Sequence, residues 1–152
     1  MIDLDLPVDA QARVHRFCDY WDARRGDRPR PSRADIDPLD IPDLLPFVTL
    51  VDVHRASPRF VYRLVGTEAA RLFGRDLTGQ PVGTGVKPDE LEDVLTRYRR
   101  VADDAACIYQ RVMMQEETND YTLVERVMLP LGAPSGEVNM IFGLVAPRPP
   151  DN

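Results

Sequence analysis

Cysteine and histidine, the residues most often used for metal binding and nucleophilic chemistry, are scarce in this sequence of 152 residues, with two of each. Cys18 and Cys107 lie far apart, without a CxxC pair or the Cys/His spacing of a zinc site. We therefore predict no metal site and interpret both cysteines as small core residues. His15 falls on the polar face of a predicted helix and His54 in a turn, so neither is a strong candidate for a general base.

The sequence also lacks an excess of basic residues and a long apolar run. It has 19 basic and 25 acidic residues, a net charge of −6, which argues against a nucleic-acid partner. No apolar run is long enough to cross a bilayer, and the first residues, MIDLDLPVD, are acidic where a signal peptide is basic. We expect a cytoplasmic protein of one domain, without a membrane partner or an attached output module.

Familiar catalytic motifs are missing as well, and no catalytic residue is predicted. There is no GxSxG or HExxH sequence, and Gly83 and Gly85 fit neither phosphate-binding glycine pattern. Glu125 on a predicted strand could be tuned as a general acid or base, as in a small cavity enzyme of isomerase or dehydratase type. An ion pair of Glu125 with Arg111 or Arg126 is the alternative.

The segment Asp9–Arg25 predicts an amphipathic helix. Asp9 is expected to cap its start and Gly26 to end it. Its apolar side chains recur at helical spacing: Val14, Phe17, Cys18 and Trp21.

Five prolines interrupt the segment from Arg28 to Pro46, so no regular structure longer than a turn is expected there. Its acids are Asp35, Asp37, Asp40 and Asp43. A hard-cation site is conceivable, but the glycine-centred ligand order of calcium loops is missing. Helix capping beside Pro38 and Pro42 is the preferred interpretation.

The stretch from Arg59 to Gly79, RFVYRLVGTEAARLFGRDLTG, predicts a strand followed by a short helix. Phe60–Val65 is rich in β-branched and aromatic residues. Thr67 is the expected N-cap and Gly74 the expected C-terminal stop.

The rest of the chain predicts a second amphipathic helix and four further strands. The helix opens at Pro88, after a glycine-containing loop from Asp76 to Lys87. The expected strands are Phe47–Val53, Ile108–Met114, Tyr121–Leu129 and Val138–Val145. This order predicts an α+β domain.

The stretch YRLVGT…LFGRDLTG resembles the strand-to-helix passage of a PAS domain. Together with FCDYWDARRG and PSRADIDPLDIPDLLPFVTLVDV, it is similar to a mostly uncharacterised proteobacterial single-domain PAS subfamily. The resemblance implies a five-stranded antiparallel sheet in the order 2-1-5-4-3, with helices on one face and an N-terminal amphipathic helix. We expect a helical extension over residues 1–27, the PAS-like domain over 28–146 and a frayed tail over 147–152.

The resemblance also implies a homodimer, because the helix before a PAS core commonly packs on the sheet or on a second subunit. Val14, Phe17, Cys18 and Trp21 are the candidate interface. The alternative is that this helix covers its own sheet.

No cofactor is predicted. Haem sensors of this kind need an axial ligand on the central helices, and Glu68–Tyr98 contains no His or Cys. Photoactive flavin domains need a reactive cysteine in the early central helix, where this chain has EAARLFG, so a cysteinyl-flavin is disfavoured. Noncovalent flavin binding elsewhere on the domain is the alternative that the sequence leaves open.

The candidate ligand pocket is aromatic, with two arginines as anchors for an acidic ligand. Its residues are Tyr62, Arg63, Phe73, Tyr98, Arg111, Met113 and Tyr121; ordinary core packing is the alternative for the aromatic residues and Met113. We expect a stand-alone sensory or regulatory domain that binds a small ligand or a protein partner, without a catalytic output. The alternative is the small cavity enzyme.

Overall fold

The computed structural model describes residues 4–116 and 118–149 and consists of one antiparallel sheet with helices on both faces. The strands are β1 (Val48–Val53), β2 (Phe60–Val65), β3 (Ile108–Gln115), β4 (Tyr121–Gly132) and β5 (Val138–Pro147). The helices are α1 (Ala12–Arg25), α2 (Thr67–Phe73) and α3 (Pro88–Asp104). The spatial strand order is β2-β1-β5-β4-β3, which confirms the predicted fold class and strand order.

The helix α1 packs on one face of the sheet, against β4 and β5. Its four predicted stripe residues, Val14, Phe17, Cys18 and Trp21, are between 0 and 3% exposed in the single chain. The Phe17 ring lies 4.3 Å from that of Phe142, and the Trp21 indole N–H donates to the Pro130 carbonyl at 2.9 Å. The chain's own sheet thus covers the stripe, so a second subunit contacting α1 would meet its outer face. The homodimer itself stays a prediction.

The start of α1 differs from the prediction. The helix begins at Ala12 with Gln11 as N-cap, and Asp9 instead pairs with Arg111 at 2.6 Å. The reason is a distant carboxylate: the Gln11 backbone N–H donates to Glu125 of β4 at 3.0 Å, so a local cap is not needed there.

Three short 3₁₀ turns carry the proline-rich segment: Arg33–Asp35, Pro38–Asp40 and Leu45–Phe47. Asp37 accepts a hydrogen bond from the Leu39 amide at 3.0 Å, which confirms capping beside Pro38. Ile36, Ile41 and Leu44 are buried against the core under α1. Across the described residues, no cluster of His, Cys, Asp or Glu is arranged to hold a metal ion.

The passage from β2 into α2 depends on a glycine. Gly66, not Thr67, is the N-cap of α2, and its amide donates to the Val48 carbonyl at 2.8 Å. A Cβ atom at this position would overlap the carbonyl oxygens of Leu45 and Pro46. The correction therefore has a steric cause: only glycine lets the chain pass this close to another backbone segment.

The last two strands run further than predicted. Pro130, expected just after the end of its strand, lies inside β4 opposite Ile141 of β5. The expected fraying does not reach Pro147, which ends β5, or Arg148, whose amide donates to the Leu123 carbonyl at 2.8 Å. Residues 150–152 of that tail lie outside the described residues. Over the part of the chain that the structure covers, no helix has the length and hydrophobicity needed to span a bilayer.

Candidate functional site

The face of the sheet opposite α1 is covered by α2, α3 and the segment that joins them. Side chains alternate along the strands, so Phe142 and Val127 face α1 while Ile141 and Met128 face α3. From α3, Tyr98 and Val101 pack onto this second face. The region between the sheet and α3 is where a buried ligand could bind.

Three predicted pocket residues meet there: Tyr62, Phe73 and Tyr98. The Tyr62 and Phe73 rings are 5.9 Å apart, and Tyr98 lies 5.6 Å from the Phe60 ring. Burial raises the pKa of both tyrosines, and each phenol acts on the pKa of the other. Both hydroxyls therefore stay protonated at neutral pH and are available as hydrogen-bond donors.

A cavity of about 20 Å³ lies beside two of these side chains, Phe73 and Tyr98. Phe73, Tyr98, Thr49 and Arg126 line it, and Gly143 forms part of the sheet wall. Such a volume holds about one water molecule, whereas typical ligand pockets measure roughly 300–1,000 Å³. Aromatic and aliphatic side chains thus fill most of the interior.

The other predicted pocket residues lie elsewhere. Arg63 is exposed and pairs with Asp52 at 2.8 Å. Met113 and Tyr121 are 57% and 60% exposed, near the free end of the β3–β4 hairpin. Arg111 belongs to an ion cluster at the start of α1, on the opposite face of the sheet from the cavity.

Arg126 and Arg97 were not predicted as pocket residues. Arg126 of β4 precedes Met128 by two positions, so both side chains face α3, and Arg126 lines the cavity. Arg97 of α3 has a buried Nε atom without a hydrogen-bond partner among the described residues. Burial, followed by the positive charge of Arg126, lowers the pKa of Arg97. The period of two along β4 was the signal that could have identified Arg126.

Glu125 lies on the opposite face of the sheet, towards α1, and both of its carboxylate oxygens have partners. It is fully buried, accepts the Gln11 amide, and pairs with Arg148 at 2.5 Å. Arg111 lies 3.6 Å away and is bound by Asp9. Glu125 therefore holds the start of α1 and the residues after β5 together, and it does not face the cavity.

A second concavity is an open surface groove of about 600 Å³ beside the C-terminal end of α3. Arg59 pairs with Asp103 at 2.5 Å and Arg55 with Glu137 at 3.4 Å along its walls. His54 also lines it and is exposed. Arg30, a third arginine of this groove, donates to the Gly136 carbonyl at 2.7 Å. The groove is open to solvent, which weakens its ion pairs, so the smaller cavity under α3 is the stronger candidate site.

Comparison with known proteins agrees with this architecture. A family model described as a PAS domain matches residues 10–146. The chain belongs to the PAS domain family.

Solved structures with the same fold have low sequence identity to this PAS domain. A fungal LOV domain photoreceptor matches with a TM-score of 0.54 at 21% identity, over 83% of this chain and 87% of that one. A PAS domain from Colwellia psychrerythraea matches with a TM-score of 0.52 at 13% identity, over 74% and 98%. An RNA-binding light-oxygen-voltage receptor matches with a TM-score of 0.51 at 15% identity.

The match covers 77% of this chain and 35% of the RNA-binding receptor, so the chain spans about a third of that protein. At these identities the similarity concerns the fold. No curated protein gives a significant sequence match to the chain.

The LOV neighbours raise the question of a flavin cofactor. The residues present do not fit one, because Phe73 and Tyr98 bound a cavity of only about 20 Å³. The segment Glu68–Tyr98 also has no cysteine that could bond to a flavin ring.

Proposed function

We propose that this PAS domain is a sensory or regulatory domain that binds a small ligand between the sheet and α3 and acts on a second copy of itself or on a protein partner. The observation that carries this proposal is the presence of polar side chains between the sheet and α3: Tyr98 and Arg126 line the cavity, and Arg97 has a buried Nε without a partner among the described residues. A purely structural core seldom retains charged groups without a partner.

Light detection and RNA binding, which the names of the structural neighbours describe, do not fit this chain. Light detection by a flavin conflicts with the filled interior and with the sequence of α2. RNA binding conflicts with the net charge of −6, since it depends on basic surfaces.

The cavity-enzyme alternative depended on a buried carboxylate or imidazole aimed at empty space. Glu125 is buried but is bound by Gln11 and Arg148 on the face opposite the cavity. This placement favours the regulatory function over the enzyme.

Native mass spectrometry of freshly purified protein tests the proposal, because it reports bound small molecules and subunit number together. We expect a mass above that of the bare chain or a shift in subunit number when a fractionated metabolite extract is added. A bare chain whose mass and subunit number no fraction changes would contradict the proposal.

A further inference from the structure

Arg126 differs from most arginines of this protein because no acid neutralises it. Among the described residues, ten other arginines pair with a carboxylate: Arg16, Arg25, Arg28, Arg55, Arg59, Arg63, Arg71, Arg99, Arg111 and Arg148. Arg126 has no ion pair or hydrogen bond with the described residues, although it is only partly exposed and lines the cavity. Because none of its nitrogen atoms is hydrogen-bonded to the described residues, the Arg126 guanidinium keeps its donors for an incoming anion.

Arg97 of α3 supplies a second positive charge: it does not line the cavity, but burial and, after it, the charge of Arg126 lower its pKa. Its Nε is buried and unpartnered within the described structure, and the effect of Arg126 on its pKa is larger than that of Asp93, one helical turn earlier. Like charges destabilise each other, so two neighbouring arginines in a shielded site are suited to an anion between them.

Other polar groups surround this pair. Gln110 lies opposite Arg126 in the β3–β4 ladder, and its side-chain oxygen is buried without a partner among the described residues. Thr49 lines the cavity from β1, and Tyr98 contributes a protonated hydroxyl. The site thus combines two cations with uncharged polar groups, and none of the described acidic side chains lines the cavity.

We propose that Arg97 and Arg126 form an anion-binding site under α3 and that its ligand is a small carboxylate. This inference rests on the proposed function and names the ligand class. The planar fork of an arginine matches the two oxygens of a carboxylate. The closed cavity has room for about one water, so α3 and the segment before it must move when the ligand enters.

The test is a titration of the full chain with acetate, lactate and succinate, with inorganic phosphate and chloride as other anions at equal ionic strength. Isothermal calorimetry gives the affinity, and thermal unfolding gives the stabilisation. At least one carboxylate should bind. Arg126→Gln should lower the affinity for it about tenfold or more, because a charge-assisted hydrogen bond is lost.

Arg97→Gln changes an arginine of α3 instead of β4, and it should also weaken the binding of the same carboxylate. Arg63→Gln is the matched control, since Arg63 is an exposed arginine paired with Asp52. The Arg63→Gln protein should bind the carboxylate with the affinity of the wild type. Circular dichroism shows whether each variant is folded. Equal binding by folded Arg126→Gln and wild type, binding of phosphate alone, or no anion binding would each overturn the inference.

The two proposals can fail separately. A neutral ligand found by native mass spectrometry, with no carboxylate binding, would refute the anion site and leave the regulatory function standing. A carboxylate that binds through Arg126 and alters the amide exchange of α3, but changes neither the subunit number nor the binding of any protein partner, would confirm the site and contradict the regulatory function.

Discussion

Gly66 shows how one residue fixes the junction between β2 and α2. A methyl group there would overlap the carbonyl oxygens of Leu45 and Pro46, and backbone atoms cannot rotate away. Gly66→Ala should therefore lower the free energy of unfolding by about 3 kcal/mol, as overpacking does in a rigid core. Chemical denaturation measures this loss.

Gly79→Ala is the control for this substitution. Gly79 has a φ of +84°, but no heavy atom lies within 4 Å of the position that a Cβ atom would take there. Only the backbone strain of about 1 kcal/mol is therefore expected. Equal losses in the two variants would show that the close backbone contact does not explain Gly66.

Asp35 should contribute to stability in a narrow acidic range. Its ion pair with Arg28, followed by hydrogen bonds from Ser32, lowers the pKa of Asp35 from 3.8 to about 2. A lowered folded-state pKa stabilises the protein above pH 3.8, and this contribution disappears as the pH falls towards 2. Asp35→Asn should therefore make the unfolding free energy fall less steeply across that acidic range.

Denaturant titrations at several pH values between about 2 and 5 measure that slope. Arg28→Gln removes the partner instead of the carboxylate and should also flatten it. Identical slopes in the wild type and in Asp35→Asn would mean that other carboxylates dominate the acid response.

At the scale of elements, the segment between α2 and α3 contains some backbone amides that are hydrogen-bonded to β2 and others that have no acceptor among the described residues. The Gly79 and Val82 amides donate to carbonyls of the edge strand β2, at 2.8 and 2.9 Å. The amides of Gly83, Gly85 and Lys87 have no acceptor within the described part of the chain. We therefore expect fast amide exchange at Gly83, Gly85 and Lys87 and not over the whole segment from Asp76 to Lys87.

Hydrogen exchange followed by mass spectrometry or NMR tests this. Gly83, Gly85 and Lys87 should exchange faster than Val82, and all of them faster than the centre of β4. A bound ligand should slow the first three. Protection of Gly83 equal to that of β4 would show that the cover is rigid in the free protein.

The strands and helices could be predicted from the sequence because their signals are local. Alternation along Phe60–Val65 and helical spacing in α1 depend on near neighbours. The cap of α1 could not be predicted in this way, because the Gln11 amide meets Glu125, 114 residues later. The N-cap of α2 is Gly66 instead of Thr67 for a similar reason, because the backbone of Leu45 and Pro46 packs against this position.

The candidate site was predictable only in part. Tyr62, Phe73 and Tyr98 lie close together because Tyr62 of β2 points to the face of the sheet that α2 and α3 cover. Which arginine points into the cavity depends on the side that each strand position faces, and that side is known only once the strands are paired. Arg126 faces α3, whereas Arg111 faces α1.

At the scale of the whole molecule, the sheet is packed on both faces and its interior is nearly full. The purified protein should therefore be colourless, because a haem or a flavin ring would need a far larger opening of this cavity of about 20 Å³ than a small carboxylate does. An absorption spectrum across the near-ultraviolet and visible range checks this. A haem or flavin band near one cofactor per chain would contradict the description of the interior.

The contact between Arg148 and Asp9 brings two distant parts of the chain together, since the Arg148 guanidinium donates to the Asp9 carbonyl at 3.0 Å. Both also join the cluster around Glu125. Asp9 and Arg148 therefore lie next to each other, although 139 positions separate them in the sequence. A circular permutant that joins these two parts by a short glycine linker and is opened at the exposed turn Pro134–Gly136 should fold to the same sheet.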